Sequence, residues 1–200
     1  FKVSTTDLST PTAGSSNVRF GVNAGNSIAS GGNFNTVVGD EAGTAITTGD
    51  SNVAIGFKAL FTEDAHGTNV AIGDSALRVL NAGVNGNNTA VGHEAGASMT
   101  TGVENVLIGT ASGDALTDAD FNTAVGKSAL GNDTLGSRNT AVGNSALQTQ
   151  RFTTATDSYN SAFGFNAGGG ITTGLFNTLL GSLAGDALTD ADRNVAIGSG

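Results

Sequence analysis

The chain has 200 residues, with 31 Gly, one Pro and no Cys, and its 17 acidic against 8 basic side chains give a formal net charge of −9. Without Cys there is neither a disulfide nor a thiolate metal site to hold it, and the acidic average field repels nucleic acid. No apolar run approaches the roughly 18 residues needed to span a bilayer, and nothing resembles a signal peptide.

Residues 1–16 follow the later pattern loosely: Val3 falls at its large apolar position, Leu8 where later coils carry Leu, and Gly14 three residues before Asn17. They are expected to form a degenerate lead-in coil, with Pro11 in its connecting segment. From Asn17 a five-residue motif sets the beat: Asn, then Thr, Val or once Ser, then a usually small residue, then a large apolar residue, then Gly. Copies begin at Asn17, Asn35, Asn52, Asn69, Asn88, Asn105, Asn122, Asn139, Asn160, Asn177 and Asn194. The intervals are 18, 17, 17, 19, 17, 17, 17, 21, 17 and 17 residues. A short period with few indels marks a solenoid, so 17–200 is expected to be one continuous array of eleven coils, cut in mid-coil. The start at Phe1 and the end at Ser199-Gly200 predict a piece of a longer protein.

Alternation within the motif predicts a strand. The fourth position (Ile55, Ile72, Val125 and their equivalents) is large and apolar in every copy and is assigned to the coil interior. The third then faces outward. Its row of Ala54, Ala71, Ala90, Ala124, Ala141, Ala162 and Ala196 is the candidate packing surface between chains. The closing Gly (Gly56, Gly73, Gly126) suits a corner that needs positive φ or leaves no room for Cβ. Stacked Asn (Asn52, Asn69, Asn122) would form a structural amide ladder at the strand spacing.

After the motif the coils are of two kinds. One carries Ala-Gly or Ser-Gly with an apolar residue three further on (Ile28, Ile46, Met99, Leu116, Ile171, Leu188); the other carries Ala-Leu at 59–60, 76–77, 129–130 and 146–147. They come in pairs, giving a superperiod of about 70 to 72 residues. The two longest intervals follow the second Ala-Leu coil of each pair and place insertions at 78–87 and 148–159. Both are expected to bulge from one corner of the stack, a position where loops often carry binding.

Candidate chemistry is sparse. Asp114, Asp118 and Asp120, and again Asp186, Asp190 and Asp192, lie in two copies of Gly-Asp-Ala-Leu-Thr-Asp-Ala-Asp, an oxygen-rich turn that suits calcium. The same turns are equally explained by Asp bonding its own backbone. Val/Ile-Gly-x-x-Ala is similar to the hexapeptide of left-handed β-helical acyltransferases, where a His between coils serves as general base. The period is 17 rather than 18, and His66 and His93 have no recurrent partner, so both are read as solvated surface histidines. No catalytic residue, cofactor or resident metal is assigned.

The repeated Asn-Val-Ala-Ile-Gly and Asn-Thr-Ala-Val-Gly resemble the head repeats of YadA-like trimeric autotransporter adhesins, and repeats in bacteriophage tail-fibre proteins. The period is longer than is usual in that adhesin head. The resemblance implies three parallel chains around one axis and a rigid adhesive or spacer element on a cell or virion surface. The expected fold is thus an all-β, left-handed β-solenoid of the β-roll kind, about 17 residues per coil, assembled as a parallel homotrimer and extending roughly 50 to 60 Å. The expected function is non-enzymatic: the shaft or head of a phage tail fibre or bacterial surface adhesin, extracellular, partnered by itself and by a host-surface glycan or protein. The alternatives are an acyltransferase-like enzyme and a calcium-binding β-roll module.

Overall fold

The computed structural model describes residues 14–200. Each motif copy forms a three-residue strand, and the strands stack into one parallel sheet of eleven in the order β1-β2-β3-β4-β5-β6-β7-β9-β11-β12-β13. In chain order these are β1 (Val18–Phe20), β2 (Thr36–Val38), β3 (Val53–Ile55), β4 (Val70–Ile72), β5 (Thr89–Val91), β6 (Val106–Ile108), β7 (Thr123–Val125), β9 (Thr140–Val142), β11 (Ser161–Phe163), β12 (Thr178–Leu180) and β13 (Val195–Ile197). Two shorter strands, β8 (Gly136–Ser137) and β10 (Thr156–Asp157), pair beside the longer insertion. Register is strict, Val53 on Val70, Ala54 on Ala71, Ile55 on Ile72, so every coil repeats the one below it. This is a parallel β-solenoid with a 17-residue repeat. The expectations for Val3, Leu8 and Pro11 lie outside the described residues.

The strands face the opposite way from the sequence expectation. Ala54, Ala71, Ala90, Ala124, Ala141 and Ala162 are fully buried within their own chain, and Ala196 is partly buried against the same core. They line the coil interior and are not a packing surface between chains. Ile55, Ile72, Val125 and their equivalents point outward, with Ile108, Phe163 and Leu180 at 39%, 41% and 50% exposure.

The reason lies in parity and width. Asn at the first motif position is buried throughout the middle of the stack, and the third position shares its face. The facing segment approaches closely through a second buried Ala row, Ala59, Ala76, Ala95, Ala129, Ala146 and Ala167. Some coils hold two large side chains inside, Leu77 with Leu80 or Leu107 with Leu116, but every complete coil has at least one that follows the strand.

That side chain arrives by two routes, which explains the two kinds of coil. In the first, Gly43 or Gly113 takes positive φ, and Ile46 or Leu116 fills the interior; a Cβ on either Gly would stand 2.8 Å from the Cδ1 of that residue. In the second, Leu60, Leu77, Leu130 and Leu147 occupy the glycine position themselves, fully buried at φ between 48° and 51°. A left-handed conformation costs a non-glycine residue about 1–2 kcal/mol, whereas burying a Leu side chain contributes about 1.5–3 kcal/mol. Burial wins.

The Asn column ties coil to coil. Each Asn Oδ1 accepts the backbone N–H of the next motif Asn, as Asn35 does from Asn52 at 2.9 Å and Asn122 from Asn139 at 2.9 Å. In most coils Nδ2 also donates to a backbone carbonyl 14 residues on, as from Asn88 to Gly102 at 2.9 Å and from Asn122 to Gly136 at 3.0 Å. Asp lacks that donor and Ser lacks the reach, so the position selects Asn. At the corner Gly126, with φ +135°, a Cβ would collide with the Gly143 carbonyl of the next coil.

Asn122→Ala would orphan the buried Asn139 N–H and the Gly136 carbonyl, at about 1–3 kcal/mol each. The expected result is a loss of about 2–4 kcal/mol, read as a lower urea midpoint. Ala124→Leu is expected to overpack the interior and cost about 1–3 kcal/mol. An unchanged melting temperature in that variant would place Ala124 outside the packed core.

Candidate functional site

The insertions are anchored by a buried carboxylate. Both kinds of coil share a position eleven residues after the motif Asn, held by Ile28, Ile46, Met99, Leu116, Ile171 and Leu188 in the Ala-Gly coils. In Ala-Leu coils the Leu has already entered the core from the glycine position. The position eleven residues after the Asn then carries Glu63, Leu80, Asp133 and Gln150, all fully buried.

Asp133 is well satisfied. Its Oδ1 accepts the N–H of Thr134 (2.8 Å), Phe152 (3.0 Å) and Gly136 (3.2 Å), and its Oδ2 accepts Gln150 Nε2 at 2.6 Å. Gln150 Oε1 in turn accepts Asn160 Nδ2 at 2.8 Å, beside the bond from the same Nδ2 to the Gly174 carbonyl at 2.7 Å, joining this network to the Asn column. The 148–159 insertion is therefore bound down rather than free. Phe152 is buried, β10 pairs with β8, and Arg138 Nε meets Asp157 Oδ2 at 3.0 Å. That carboxylate raises the Arg138 pKa.

Glu63 holds the shorter insertion in the same manner but more thinly. Its Oε2 accepts the N–H of Ala82 and its Oε1 that of His66, both at 3.3 Å. His66 Nδ1 lies 3.3 Å from the same Oε1. His66 is thus only partly a surface histidine: its side chain is 28% exposed, but its Nδ1 turns inward against a fully buried acid. Burial pushes the Glu63 carboxyl up, opposed by the N–H groups of Ala82 and His66 and by the imidazole. Glu63 was missed in the sequence, although its register with Ile46 and Met99 marks it as a charged residue in a core position.

The other sequence candidates are dispersed. Asp120 Oδ1 accepts the Val103 N–H and Asp192 Oδ1 the Leu175 N–H, each at 2.8 Å from the preceding coil. Asp118 Oδ1 accepts Thr101 Oγ1 at 2.7 Å, and Asp190 Oδ1 accepts Thr189 Oγ1 at 3.1 Å. Asp114 is pushed up by burial and by nearby Glu94, against the N–H groups of Asp114 and Ala115. Together with Asp186 these acids build no set of three; among the described residues the group with metal-ligand spacing is Glu63, Asp64 and His66. His93 is exposed, with Glu94 Oε2 3.6 Å from its Nδ1.

An exposed corner carries a second array. The residue before each motif Asn takes positive φ, and in consecutive coils this column reads Phe121, Arg138, Tyr159, Phe176 and Arg193. Arg138 lies 4.5 Å from the Phe121 centroid, Tyr159 stacks on Phe176 at 5.3 Å, and Arg193 lies 5.1 Å from Phe176. Ring faces meet along the axis, leaving edges to solvent.

No family model, curated protein or solved structure matches the chain. Among the described residues no helix is long and apolar enough to cross a membrane.

A carboxyl whose folded pKa lies above its unfolded value takes up a proton on folding, so its charge costs stability at neutral pH and the cost fades on acidification. In EDTA-treated protein at pH 7, Glu63→Gln is expected to raise the unfolding midpoint. The gap to wild type should close as the pH falls toward the ordinary glutamate value of 4.5.

Proposed function

We propose that the chain is a non-enzymatic structural and adhesive fibre segment, the rigid shaft or head of a phage tail fibre or bacterial surface adhesin that mediates attachment outside the cell. The observation that carries this reading is the outer face of the eleven-stranded sheet. Its fourth-position column is apolar in every coil, running through Ile55, Ile72, Val91, Ile108 and Val125 to Phe163, Leu180 and Ile197, beside a second-position column that mixes Val with Thr and one Ser. An apolar column that recurs in every coil of the sheet suits association.

The column is in strict register and on one side of each coil, so three copies arranged in parallel bury it around one axis. The proposed assembly is a parallel homotrimer of left-handed coils, in keeping with the resemblance to YadA-like heads, with the Val/Ile columns at the axis in place of the Ala row. The aromatic and arginine corner and the insertions then lie on surfaces available to a host glycan or protein. Repetition along the rod and across three chains multiplies weak contacts. Backbone ladders parallel to the axis give the rod its stiffness.

Sedimentation of the wild type is expected to give a trimer resistant to SDS, with β-rich circular dichroism. Ile72→Lys together with Ile108→Lys should yield a monomer that keeps the β spectrum, because both side chains lie outside the core. A monomeric wild type would sink the assembly.

A further inference from the structure

Glu63 and Asp133 occupy the same place 70 residues apart, and each accepts the N–H that begins to fold its insertion back, Ala82 in one and Phe152 in the other. Their remaining partners differ. Gln150 donates to Asp133 at 2.6 Å, whereas the equivalent residue beneath Glu63 is Leu80, which has nothing to donate. In compensation His66 stands where the other copy has Gly136. Its Nδ1 is shielded from solvent and makes no hydrogen bond, despite the 3.3 Å approach to Glu63 Oε1. A buried carboxylate without a side-chain donor and a buried ring nitrogen without a hydrogen bond therefore face one another.

Two ligand atoms about 2.0–2.1 Å from a tetrahedral ion lie roughly 3.3 Å apart, the separation that Glu63 Oε1 and His66 Nδ1 already have. A carboxylate oxygen of Asp64 completes a set of three donor atoms within 4.8 Å of one another. The geometry points to a site for one divalent cation of the zinc class, bound by Glu63, His66 and Asp64 with water in the open position. An imidazole nitrogen with two carboxylates suits zinc better than calcium or magnesium, which take oxygen ligands. The two carboxylates balance the ion's charge, and the ion occupies the orphaned nitrogen.

The consequence is mechanical. Glu63 Oε2 holds the Ala82 N–H, so an ion that fixes this carboxylate clamps the 78–87 insertion onto the coil below it. The second superrepeat has no imidazole at Gly136 and already has Gln150, so the site occurs once among the described residues. Assembly through the sheet face is a separate matter, since the site lies in a coil connector.

The test is calorimetric titration of zinc chloride into EDTA-stripped, dialysed protein of the His93→Ala background, which removes the exposed imidazole beside Glu94. One zinc per chain is expected, with a higher thermal midpoint and slower amide exchange across 78–87. His66→Ala and Glu63→Gln should each weaken binding by more than the roughly 10–100-fold that follows loss of a merely supporting group. Glu63→Gln keeps an acceptor for Ala82 and serves if His66→Ala loses its β spectrum. Absence of binding, or binding retained in a folded variant, would overturn the site and leave Glu63 and His66 as an ion pair only.

Discussion

The structure depends on a buried amide that meets three demands at once. From Asn35 to Asn177 each motif Asn accepts from the backbone of the next coil, commonly donates to a carbonyl that closes its own coil, and does so with almost no exposure. A coil this narrow cannot shelter many backbone groups by apolar bulk, and an unpaired buried group costs about 1–3 kcal/mol. The Asn column turns those groups into links along the axis, so the hydrogen bonding that closes one coil also sets the height and register of its neighbour. Where the chain carries the longer insertion the link is kept and supplemented: Asn139 Oδ1 accepts Ser158 Oγ at 2.8 Å as well as the Asn160 N–H at 3.1 Å, and Asn160 Nδ2 donates to Gln150 Oε1 as well as to the Gly174 carbonyl.

Around this column the interior has a nearly constant filling. Two rows made mostly of Ala set the width, and a large side chain after the strand fills much of what remains in each coil. The filler comes either from the residue eleven past the Asn, with Gly making room for it, or from a Leu in left-handed conformation at the glycine's place. When Leu takes the second route, the vacated position becomes available to a polar residue. Glu63, Asp133 and Gln150 use it to hold the segments that depart from the regular period. The polar anchors of both insertions lie in Ala-Leu coils, although Leu80 shows that the same position also takes an apolar side chain.

The same economy governs the outside. With Ala, or in a few coils Val37, Leu107 and Leu179, inside, the large apolar residue at the fourth motif position lies on the outer face, and stacking at strict register converts scattered side chains into a strip. An apolar strip is a poor surface for an isolated rod and a good one for a bundle, which is why the fibre reading rests on it. The acids, by contrast, decorate corners, where several of the Asp residues accept backbone N–H groups from the adjacent coil.

Much of this was legible in the residues. The period, the coil count, the parallel stacking, the Asn ladder and the division into two coil kinds all follow from spacing, because a solenoid repeats its constraints at every turn. The facing of the strand did not follow. Alternation states that Ala124 and Val125 point to opposite sides, and it is silent on which side is inside; the usual preference for the larger apolar residue in the core chose wrongly. Only the tertiary structure decided it, since the width of the coil is set by the segment lying opposite and by the side to which Asn122 must turn to reach the Gly136 carbonyl. The pairing of Glu63 with His66 was hidden for a related reason. Neighbours three apart in a connector meet only when the core beneath them, here filled by Leu60, leaves a pocket for the acid.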